Sequence, residues 1–89
     1  MNIKFIDFKK VFGEKYFGIA AIVLDDKIML RYKVIPGKEG KGFYCKPASY
    51  KVGDDYIDAF EIDSNFTKSA IDQVIRDHVK PLLDDGIPF

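Results

Sequence analysis

With 89 residues, no formal net charge, 47% apolar and 31% charged residues, the chain has the composition of a single globular domain over 1–89, not of a disordered or fibrous one. Its longest apolar run, Ile19 to Leu24, is strand-length and far short of the ~20 residues that cross a bilayer. Lys4, Asp7, Lys9 and Lys10 interrupt any signal-peptide hydrophobic region, and one cysteine excludes an internal disulfide, so a reducing, cytoplasmic setting is expected.

The neutral total conceals an asymmetry. Residues 1–51 carry eleven Lys/Arg against five Asp/Glu, and residues 52–89 carry three against nine. Two explanations stand: an anionic partner for the basic half, or an acidic segment that folds back over it.

In chain order, Ile3 opens a strand whose alternation breaks near Ile6, the mark of a bulge or of burial on both sides. Tyr16 to Leu24 is apolar on both faces and is expected to be central or doubly covered. Asp25-Asp26 supplies a tight turn into Lys27–Ile35, which makes a hairpin with it. Ile28, Leu30, Tyr32 and Val34 share one face of that strand, and Met29, Arg31, Lys33 and Ile35 the other. Pro36-Gly37 ends it, and Lys38 to Gly42 form a basic, glycine-rich loop. Phe43–Lys46 is a short strand with Phe43 and Cys45 inward and Tyr44 and Lys46 outward, stopped by Pro47. An exposed loop is expected over 48–54 and a fifth strand over Asp55–Ile62. Ser64 or Thr67 then caps a helix with Ala70, Ile71, Val74, Ile75, Val79 and Leu82 on one stripe, ending near Pro81 before a loose tail over 84–89. The fold class is therefore α+β: an antiparallel sheet of about five strands followed by one amphipathic C-terminal helix. One helix covers one sheet face, so the other face meets water, a ligand or a second subunit. A small core favours the last, and a homodimer is expected.

Signatures of catalysis are thin, and neither an enzyme nor a cofactor is expected. His78 is the sole histidine and reads as a boundary residue; Cys45 reads as a packed thiol. One Cys and one His do not make a zinc site, and Asp54, Asp55 and Asp58 lack calcium-loop spacing, so no metal is expected. Gly37, Gly40 and Gly42 precede no helix and read as turn glycines. What the sequence does carry is a run of cations interleaved with tyrosines. Arg31, Lys33, Lys38, Lys41, Lys46 and Lys51 lie among Tyr32, Tyr44 and Tyr50. Such cations neutralise phosphates, and aromatic faces stack on unpaired bases.

Four stretches in this order resemble the stage V sporulation protein G family, the bacterial septation regulators. They are the hairpin Ile22-Val-Leu-Asp-Asp-Lys-Ile-Met-Leu, the run from Lys33-Val-Ile-Pro-Gly through Phe43-Tyr-Cys-Lys-Pro47, Asp54-Asp-Tyr-Ile-Asp58, and the helix opening Thr67-Lys-Ser-Ala-Ile-Asp-Gln-Val74. The resemblance implies a sheet-plus-helix domain that dimerises and binds DNA, or in some members RNA, as a regulator. The basic pair that follows Met-Pro-Ser in that family is replaced here by Ser49 and Tyr50, with Lys46 in the place of the methionine and Lys51 just beyond. A nucleic-acid surface is expected at Arg31, Lys33, Lys38, Lys41, Lys46, Tyr50 and Lys51. The competing expectation is a protein-interaction module that uses an uncovered sheet face or edge.

Overall fold

A computed structural model describes residues 1–11, 15–37 and 42–84. Six strands and one helix follow in the order β1 (Ile3–Lys10), β2 (Gly18–Leu24), β3 (Ile28–Pro36), β4 (Phe43–Pro47), β5 (Ser49–Val52), β6 (Asp55–Asp58) and α1 (Asn65–Asp84). The first four form an antiparallel sheet in the order β1-β2-β3-β4, and β5 and β6 pair as a separate antiparallel hairpin. The fold is α+β, an antiparallel sheet followed by one helix.

Local chemistry accounts for each junction. The register of β1 against β2 shifts between Phe5 and Asp7, a bulge at the residue where the apolar alternation breaks. Asp25 and Asp26 both have positive φ (54° and 57°), the geometry favoured in hairpin turns, and the Lys27 N–H closes the turn on the Leu24 carbonyl at 3.0 Å. Asn2 braces it through its N–H to Asp25 Oδ1 at 2.8 Å, and Lys4 Nζ lies 2.7 Å from Asp26 Oδ1. That hydrogen-bonded ammonium holds the Asp26 carboxyl below its usual 3.8. Ser64 is the helix cap, its Oγ accepting the Thr67 N–H at 3.2 Å.

The helix lies against one face of the four-stranded sheet. Ile71, Ile75, Val79 and Leu83, spaced by four, are fully buried against Ala20, Ile22, Leu30, Tyr32, Val34 and Phe43. Each fully buried Ile or Leu contributes roughly 1.5–3 kcal/mol of apolar transfer. Phe60 and Ile62 pack on the same core, with Phe60 edge-on to Tyr32 (centroids 5.2 Å apart), so the segment between hairpin and helix is anchored too. Arg76 sits over the Phe43 ring at 5.1 Å.

Three expectations require correction. Residues 48–54 are not an exposed loop throughout: Ser49–Val52 is a strand, paired with Asp55–Asp58 across a turn in which Gly53 takes φ 61°. The strand expected to run to Ile62 stops at Asp58, because it pairs only with β5 and then turns Phe60 and Ile62 into the core. The helix does not end near Pro81. It runs to Asp84, and Leu83, not Leu82, occupies the core; Leu82 is 41% exposed. Proline removes one helical N–H, but Leu83 falls four residues after Val79 and its burial holds the last turn on the sheet. The tail over 85–89 lies outside the described residues.

Candidate nucleic-acid interface

The side of the sheet that α1 leaves uncovered is set by register. Lys9 pairs with Ile19, Ile19 with Lys33, and Lys33 with Lys46, so these four share one row across all four strands. At about 4.8 Å per strand interval the row is about 14 Å long. The next row reads Asp7, Ala21, Arg31. On the other flank Ile35 faces Tyr44. Ala21 is buried and Ile19 half-buried although, among the described residues, the helix packs on the other face. Long basic side chains shield such apolar floors with their methylene stems while keeping their charges in water.

Lys33 and Lys46 stand directly opposite each other, an arrangement that repels. The Lys33 ammonium is instead turned to Ser49, donating to its Oγ at 2.7 Å. The hairpin side that carries Ser49 and Asp58 also carries Lys51 and Tyr56, while Tyr50, Val52 and Ile57 lie on the other side. The hairpin is tied to the sheet by the Ala48 N–H on the Arg31 carbonyl (3.0 Å) and the Ala59 N–H on the Ala48 carbonyl (2.8 Å).

The structure thus brings Arg31, Lys33 and Lys46 together and sets Lys51 on the hairpin side that reaches Lys33 through Ser49. It does not bring Tyr50 to them, because in β5 successive side chains point to opposite sides. Lys38 and Lys41 lie outside the described residues. Lys9 and Tyr56 were not foreseen. Lys9 reaches the row only because the bulge at Ile6 resets the alternation of β1, and Tyr56 joins Lys51 only because β5 exists.

Among the described residues, the acidic half does not neutralise the basic one. The ion pairs are Lys4 with Asp26 and Arg76 with Asp72, each within its own half. Lys9, Arg31, Lys33, Lys46 and Lys51 have no carboxylate within ion-pair distance among those residues. The folding-back explanation of the charge asymmetry therefore finds no ion pair there to support it.

Between the helix, the inner face of the sheet and the hairpin lies an open cleft of about 650 Å³, lined by Tyr32, Cys45, Asp58, Phe60, Lys68 and Asp72 among others. Burial, with the Asp72 carboxylate nearby, pushes the Cys45 thiol from 9.0 up to about 12, and burial raises Tyr32 from 10.0 to about 12. Cys45 is therefore a protonated packing group at neutral pH, and Lys46, on the opposite face of β4, does not activate it. Native Cys45 is expected to react with iodoacetamide at pH 8 at least a hundredfold more slowly than in the urea-unfolded chain; equal rates would contradict the raised pKa of this half-buried thiol. Because the unfolded chain loses these protons first, the stability contribution is complete below about pH 9 and declines from there toward pH 12. The urea midpoint is expected to fall across that interval.

His78 is stacked on Phe5 (centroids 4.7 Å, planes 12° apart), with Nδ1 2.9 Å from the Val74 carbonyl oxygen. Among the described residues no group of three or more His, Cys, Asp or Glu is placed to hold a metal ion, and no helix is long and apolar enough to cross a membrane. No family model, curated protein or solved structure matches this chain.

Proposed function

We propose that this chain is a small nucleic-acid-binding regulatory protein that contacts phosphates through Arg31, Lys33, Lys46 and Lys51, acting as a homodimer in the manner of the septation regulators it resembles. The observation that carries this is the cation row on the uncovered sheet face, in which Lys33 and Lys46 oppose each other without a carboxylate partner among the described residues. A fold that keeps two like charges paired gains from an anion laid over them. Phosphate contacts of this kind position a nucleic acid without reading its bases, so affinity is expected to be salt-sensitive and only modestly selective.

The test is a binding titration of the purified chain with labelled DNA and RNA at several salt concentrations. Four phosphate contacts predict a slope of about −3 to −4 in log K against log salt on duplex. The double variant Lys46→Glu/Lys51→Glu is expected to lose binding while keeping the thermal melt of the parent. Absence of binding at low salt would overturn the proposal.

A second reading has its own observation. The hairpin side formed by Tyr50, Val52 and Ile57 is exposed, at 53%, 50% and 44%. Such a surface suits the homodimer contact, or a protein-interaction module with no nucleic-acid role. In the latter case the Lys46→Glu/Lys51→Glu variant leaves the protein's behaviour unchanged, and Tyr50→Ser with Ile57→Ser abolishes its association.

A further inference from the structure

We infer that the ligand of the uncovered sheet face is a single strand of nucleic acid, laid across β1 to β4, with Tyr44 as the base-stacking shelf and Lys9 as a phosphate contact at the far edge. The inference rests on the nucleic-acid function proposed above and narrows it to one substrate class.

The elements that enter a duplex groove are a helix or a two-stranded ribbon. Here the helix is committed to the core through Ile71, Ile75, Val79 and Leu83, and its exposed side mixes Asp77 with Lys80. Among the described residues the one separate two-stranded ribbon is β5–β6, and its tip carries Asp54 in the turn and Asp55 at the start of β6, which phosphates repel. Neither element suits a groove. A broad, uncovered sheet face is the geometry on which unpaired bases lie flat, since their faces are free and their backbone bends to the surface.

The face supplies what such a strand needs. Tyr44 is 47% exposed and projects from β4 two residues before Lys46 on the same side, opposite half-buried Ile35. Its ring therefore stands beside a cation, over an apolar floor. The cations Lys9, Lys33 and Lys46 lie in one row perpendicular to the strands, with Arg31 in the row beside it. A linear polyanion crossing the sheet meets them in succession. The one carboxylate among these rows, Asp7, is two strands away from Arg31 and stands beside Lys9 on β1, so the bound strand's charge is met chiefly by Lys33, Lys46 and Arg31. Stacking on a tyrosine tolerates any base, and phosphate contacts are common to both backbones, so the class is single-stranded RNA or DNA.

The full chain is titrated by fluorescence anisotropy with labelled oligouridine, oligothymidine and a mixed-sequence duplex of equal length at one salt concentration. Binding to at least one single strand is expected to be tenfold or more tighter than to the duplex, and the stronger of the two arms identifies RNA or DNA. Tyr44→Ala is expected to weaken single-strand binding at least fivefold, Tyr44→Phe to restore it, and Lys9→Gln to reduce the salt slope by about 0.7. Each variant is checked by its thermal melt. Duplex binding as tight as single-strand binding, or an unchanged affinity for Tyr44→Ala, would overturn this inference and leave the phosphate-binding function standing. Absence of binding to all three probes would overturn both.

Discussion

Gly18→Ala is expected to leave the protein largely unfolded. A Cβ at this position would lie 2.3 Å from the Lys9 carbonyl oxygen and 2.7 Å from two ring carbons of Phe8. The ring can swing away, but the carbonyl cannot. Lys9 is held by its pairing with Ile19, and Gly18 is held on its other side against Val34. Relief means peeling the end of β1 from β2, which exposes Phe8 and withdraws Lys9 from the cation row. The cost is several kcal/mol, against a total stability of about 5–10 kcal/mol for a domain of this size. Far-ultraviolet circular dichroism with urea titration reads it directly. A Gly18→Ala protein with the parent's midpoint would show that the two strands do not approach so closely.

The second large effect separates two adjacent leucines. Leu83 is fully buried and Leu82 is 41% exposed, although Pro81 precedes both. Leu83→Ala is expected to cost about 2–5 kcal/mol, the range for opening a cavity in a packed core. Leu82→Ala is expected to cost less than about 1 kcal/mol. At roughly 4–8 °C per kcal/mol, the first variant melts about 10 °C or more below the parent and the second within a few degrees of it. Equal melting temperatures for the two variants would mean that the helix does not carry its register through Pro81.

Much of this architecture was legible in the residues. The alternation in β3, the positive-φ tolerance of two consecutive aspartates, the broken period at Ile6 and the isoleucines spaced by four each depend on local chemistry, and each appears in the fold. The β5–β6 hairpin was hidden because Ser-Tyr-Lys-Val is too short to establish a period and follows a proline. The end of the helix was hidden because a proline normally ends one, and only the tertiary burial of Leu83 overrides that preference. The binding face was half legible. Arg31, Lys33 and Lys46 could be assigned a face from alternation alone. That Lys9 stands in line with them needs the bulge and the pairing partner of every strand, and that Tyr50 stands apart needs the existence of β5.

The strand order β1-β2-β3-β4 has a kinetic meaning. Every neighbour in the sheet is also the next strand in sequence, so each pairing closes a short loop and pays little chain entropy. The β2–β3 hairpin needs only the Asp25-Asp26 turn to begin, and the outer strands add to its two edges. The long-range step is the return of the helix, which brings His78 onto Phe5 from the far end of the chain. The sheet is thus reachable through successive hairpins, whereas many of the close residue pairs among the described residues are long-range in sequence, so docking of the helix is the step that carries the larger entropy cost.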